Sequence, residues 1–178
     1  MKLHFDDEDE GLSPDTSHPR FVELAPESFY DEGNDFGPFG SDDGNDTLRE
    51  MESWYEARVG RADPSEFLTE LVENWDFDLP AGVMDYADEE LIAFARDDDM
   101  NEVYVSSVAR ACVAAALGQL KIEGVISLSL QSEGRKGLRV LRTLTADTSL
   151  HPDWPHRAEA LRGLDEIETV LAAAIGRA

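Results

Sequence analysis

The sequence contains a single cysteine, Cys112, so no disulfide can form within the chain. Basic residues are scarce: 15 Lys and Arg stand against 39 Asp and Glu, a net charge of -24. Counterion release from phosphate backbones needs clustered positive charge, which argues against direct nucleic-acid binding. Anionic membrane surfaces repel such a chain. Long apolar runs are also missing. The most apolar stretch, 103–120, carries Ser106, Ser107 and Arg110 and falls short of a spanning segment by pattern. The opening MKLHFDDEDE passes directly into acid, with no signal-like apolar stretch, and a cytoplasmic protein is the expectation. No G-x-S-x-G elbow, G-x-x-x-x-G-K-[ST] loop or G-x-G-x-x-G turn occurs.

What is present is an ordinary globular composition, 42% hydrophobic over 178 residues. That length suits one domain, or one domain and a tail. Twelve arginines against three lysines, with abundant alanine, suit a high-GC bacterial genome. The charge is unevenly placed. Residues 1–100 hold 30 acids and 6 bases, whereas residues 101–178 hold 9 of each. The net charge therefore belongs to the first hundred residues.

Residues 1–35 read as a partly ordered acidic arm, headed by Asp6, Asp7, Glu8, Asp9 and Glu10, and residues 36–178 as a helical domain. Within the arm, Phe21, Val22 and Leu24 suit a short strand or clasp. Phe29 and Tyr30 suit a second anchor. Thr47 and Glu50 form a capping box for a helix with Leu48, Met51, Trp54, Tyr55 and Val59 on one face. Asp63-Pro64 opens another helix. A third runs from Ala87 to Arg96 and is broken by Asp97, Asp98 and Asp99. The helix from Glu102 to Leu120 is apolar nearly all round, the pattern of a central core helix. Ile126 to Leu130 alternates with period two, as a short strand would. Gly134 to Gly137 reads as a turn, with a helix from Leu138 after it, and Arg157 to Ile175 forms the last helix. The expected fold is all-α: five to six helices around the Ala/Val-rich one, with at most one short β-hairpin.

Chemical motifs are few. Neither 31–35 nor 42–46 has the oxygen and glycine spacing of a calcium loop. Asp147, His151, Asp153 and His156 offer zinc-type ligands, but Pro152 and Pro155 deny them a helical i, i+4 pair. Cys112 reads as a small core residue. No metal and no cofactor is expected. Arg135, Lys136, Arg139 and Arg142 form the only basic cluster, suited to pairing with acids of the first half or to an anion contact.

The stretch Phe36-Gly37-Pro38-Phe39-Gly40-Ser41-Asp42-Asp43-Gly44-Asn45-Asp46 resembles the opening signature of a bacterial family, domain of unknown function family 4259. Gly37, Pro38, Phe39, Ser41, Asp42 and Asp46 match its pattern. The usual Trp-Gly is replaced by Asn34-Asp35. The Ala-rich helix and the segment from Asp147 to Leu150, followed by Trp154, are similar as well. The resemblance implies a small, mostly helical cytosolic protein and assigns no activity.

The functional expectation is a non-enzymatic interaction protein, immunity-like or antitoxin-like, whose acidic residues cover a basic protein partner. Asp6, Asp7, Glu8, Asp9, Glu10, Asp42, Asp43, Asp46, Asp97, Asp98 and Asp99 are its candidate contacts. The alternatives are a carboxylate enzyme, with or without a divalent metal, and a self-associating protein whose acidity serves solubility.

Overall fold

The computed structural model describes residues 2–7, 10–58 and 63–176. They form a single all-α domain with no strands among them, apart from one isolated bridge between Asp7 and Gly11. The α-helices are α1 (Pro19–Leu24), α2 (Asp42–Ala57), α3 (Pro64–Asn74), α4 (Asp88–Asp97), α5 (Asp99–Glu123), α6 (Leu128–Ala146) and α7 (Arg157–Ile175). Short 3-10 turns lie at Glu27–Tyr30 and Val83–Asp85.

Helix α5 is the hub, packed by α1, α2, α3, α4 and α6. Ala109, Ala111, Ala114, Ala115, Ala116 and Leu117 are fully enclosed, because neighbours pack round the helix on every side from Ala111 to Ile122. It is 25 residues long and apolar enough to cross a membrane by length and composition, which the sequence pattern had not suggested. Here that apolar surface is spent on helix packing, and 78% of its most apolar window is buried.

The leader, the acidic arm of residues 1–35, lies against this hub. His4 N donates to Ile122 O at 3.1 Å, and His18 N donates to Lys121 O at 2.8 Å. Phe21 and Phe29 are buried. The segment at Phe21 is helical, not strand-like: Pro19 occupies the first turn, and His18 caps it by accepting from Arg20 N at 3.0 Å. This short helix brings the α-helices among the described residues to seven, beyond the five to six expected. Glu8, Asp9 and Val59 lie outside the described residues.

Several boundaries differ from the sequence reading for local reasons. Helix α2 starts five residues before Thr47. Ser41 accepts from Gly44 N at 3.2 Å, and Asp42 and Asp43 fill the first turn, where the helix dipole favours acid. Thr47 is then interior, its hydroxyl donating to Asp43 O at 2.6 Å. Asp98 both ends α4 and caps α5 by accepting from Met100 N at 2.8 Å. The apparent strand at Ile126–Leu130 is the start of α6, capped by Ser127. With α1 helical, no second strand is present among the described residues to pair with it.

The expected turn at Gly134–Gly137 is the middle of α6. A Cβ on Gly134 would lie 2.8 Å from Ala116 Cβ, and one on Gly137 would lie 2.4 Å from Ala109 O. These glycines sit where α6 crosses the alanine face of α5, and their missing side chains allow the close approach.

Candidate functional site

The signature loop is built by its own turn. Gly37 N donates to Asn34 O at 2.8 Å, and Asn34 Oδ1 accepts from Phe36 N at 3.2 Å. Phe39 plugs the core against Phe21, with ring centres 6.1 Å apart. Phe36 stays at the surface, 6.2 Å from the Trp154 ring and 6.3 Å from His156. Its backbone lies on α7 at Gly163, where a Cβ would meet Phe36 O at 2.5 Å. The loop before α2 and the loop before α7 are thus brought together over α5 and α6.

Between them is a cleft of two adjoining lobes, of about 620 Å³ and about 630 Å³. Both touch Arg110, Leu141, Thr145 and Trp154. The first lobe adds Asp35, Phe36, Asp42, Asp43, Val103 and Ser107. The second adds Glu102, Leu150, His151 and Asp153. Volumes of this size fall in the ordinary range for ligand pockets. Arg110 is held by Asp43 at 3.2 Å and His151 Nε2 meets Glu102 at 2.7 Å. Asp35, Asp42 and Asp153 make no ion pair or side-chain hydrogen bond with other described residues. Val103, at the rim, is 52% exposed.

The candidate acidic contacts fall in separate places. Asp42 and Asp43 line the cleft, and exposed Asp46 follows one turn later on α2. Asp97, Asp98 and Asp99 are exposed at the α4–α5 junction, one turn from Glu102. Asp7 accepts from Glu10 N at 2.7 Å in the leader turn. Asp6 has an internal role: it sits 2.7 Å from Lys121 Nζ. Lys121 is fully buried and also pairs with Glu52, whose carboxyl pKa is raised by burial against the opposing pull of the lysine.

The basic cluster on α6 is largely neutralised from within. Lys136 pairs with Asp85 at 3.1 Å, and Arg139 pairs with Asp88 at 2.8 Å. Arg142 bridges Asp165 at 2.8 Å and Glu168 at 2.9 Å. Arg135 makes no ion pair with described residues and borders a hollow beside α7. Of the zinc-type candidates, His151 turns to Glu102 and His156 to Glu159 at 3.3 Å. Among the described residues no group of three His, Cys, Asp or Glu side chains is placed to hold a metal.

Sequence reasoning missed Arg110, Ser107 and Lys121. Each is a polar residue that interrupts the apolar pattern of α5, and that interruption was the available signal. It did not show which direction each residue faces.

No family model and no solved structure matches the chain. The chain is similar to the uncharacterized protein YfeS of Escherichia coli (strain K12), 30% identical over 143 residues. The match takes in 77% of this chain and 55% of that protein, so the chain spans about half the length of the curated relative it matches.

Proposed function

We propose that this is a non-enzymatic interaction protein, cytoplasmic, whose acidic surface covers a basic protein partner. The carrying observation is how the charge is partitioned. Three of the four bases on α6 are held in intramolecular ion pairs, while the exposed acids of α2 and of the α4–α5 junction face solvent. Such a surface steers positively charged partners and repels negatively charged ones. An immunity-like or antitoxin-like role is the form of binding this reading favours. The signature residues Gly37, Pro38, Phe39, Ser41, Asp42 and Asp46 support the finer kinship with domain of unknown function family 4259.

The test is affinity capture from a bacterial lysate at low and high salt, with retained proteins identified by mass. A basic protein held at low salt and released at high salt is expected. Its loss from a D46N/D97N/D99N variant would tie it to this surface. Failure to retain any basic protein at low salt would overturn the reading.

A further inference from the structure

We propose that the cleft between the signature loop and the loop before α7 is a guanidinium-binding site that receives an arginine side chain of the partner. The inference rests on the acidic-surface reading above and assigns that surface its anchor point.

Three features of the cleft select this ligand. Its charge is negative and uncommitted: Asp35, Asp42 and Asp153 carry no ion pair among the described residues, while the one strong cation, Arg110, is already held by Asp43. It has aromatic rings on its wall: Phe36 and Trp154 lie 6.2 Å apart, with their planes inclined at 61°. A guanidinium stacks on such rings while its edge donates to carboxylates, a combination that an ammonium satisfies less well. The third feature is Ser107. This residue is only 6% exposed and lines the cleft, yet its hydroxyl makes no hydrogen bond with a described residue. The oxygen is not sealed from solvent, so it stands on the cleft wall as a free acceptor. An N–H donor arriving from the cleft would complete it. The cavity is also the right size for one long side chain and its flanking backbone.

The probe is an N-acetylated glycine–arginine–glycine amide, titrated into the whole protein. The readout is the Trp154 indole N–H signal by NMR, assigned with Trp154→Phe. The control is the same peptide with citrulline, which keeps the shape and loses the charge. The arginine peptide is expected to shift the Trp154 signal saturably, and the citrulline peptide to leave it unmoved. Asp35→Asn/Asp42→Asn should weaken the arginine peptide about tenfold, the scale of a lost charge-assisted contact. Ser107→Ala should weaken it by a smaller factor, with an unchanged helical circular dichroism spectrum. Equal responses to the two peptides, no shift of Trp154, or unaltered affinity in the double aspartate variant would each overturn the proposal. The capture experiment separates the two readings. If the basic partner is retained by Asp35→Asn/Asp42→Asn as well as by the parent, the acidic surface stands and the cleft is not its anchor. If the arginine peptide binds but no basic protein is retained, the cleft stands as a site for a free guanidinium compound and the partner-anchor proposal falls.

Discussion

Asp6 Oδ1 lies 2.7 Å from Lys121 Nζ, and the lysine side chain is completely enclosed. One residue from the acidic leader thus neutralises the buried cation of the hub helix. Glu52 of α2 supplies a second carboxylate, and His4 O accepts from the same ammonium at 3.5 Å. The leader, α2 and α5 meet at this one charge.

Removing the cation alone should be costlier than removing it together with Glu52, the more buried of its two carboxylate partners. Lys121→Met leaves Glu52 buried without its partner, and a loss of about 3–5 kcal/mol is expected, the usual result of breaking a buried pair from one side. Lys121→Met/Glu52→Leu should recover most of that loss, because apolar replacements need no compensating charge. Urea denaturation of the parent and both variants measures the difference.

Acid should loosen α1 before it unfolds the domain. His18 caps that helix through an unprotonated Nδ1 accepting from Arg20 N. Burial lowers the His18 pKa below its ordinary 6.5, and the Arg20 charge lowers it further. The folded state therefore resists a proton that the unfolded chain accepts. This contribution is complete above about pH 6.5 and is lost as pH falls through the lower folded value. Exchange of the Arg20 amide, corrected for intrinsic rate, should accelerate on moving from pH 7.5 to pH 5. His18→Asn keeps an accepting cap and should remove that cap's share of the acceleration. His4 sits edge-on at 5.2 Å and is itself depressed by burial, so a residual dependence should remain.

Gly137→Ala should destabilise, contrary to the rule for exposed helices. Alanine is about 1 kcal/mol better than glycine in a helix interior by propensity. At Gly137 the added Cβ would stand 2.4 Å from Ala109 O and 2.8 Å from Cys112 Cβ. Overpacking of this kind costs about 1–3 kcal/mol. The expected result is a lower Tm by calorimetry, and a rise would refute the tight α5–α6 crossing.

Cys112 should be inert in the native protein. Burial pushes its thiol pKa up to about 12, so the thiolate is scarce at neutral pH. Labelling by a thiol-specific disulfide reagent should be negligible in buffer and complete in urea, with the rate in intermediate urea following unfolding.

The parts legible in the sequence were those decided within a turn or two of chain. Asp63-Pro64 marked the start of α3, and the apolar spacing from Arg157 to Ile175 marked α7 at both ends. The all-round apolar character of α5 marked the hub. The uneven distribution of charge was a matter of counting. Caps, proline and helical periodicity act locally, which is why residues alone reveal them. Other features depended on which faces meet. Gly134 and Gly137 read as a turn until α6 lay across the alanines of α5. Ile126–Leu130 read as a strand until it formed the start of α6, with no partner strand among the described residues. Lys121 gave no sign of being buried until Asp6, 115 positions earlier, reached it. The cleft likewise joins Asp35, Ser107, Arg110 and Trp154 from distant segments. Composition and local pattern determined the helices and the sign of the charge. Tertiary packing alone decided which acids are spent internally and which remain to meet a partner, because burial and ion pairing depend on distances between segments that no local pattern encodes.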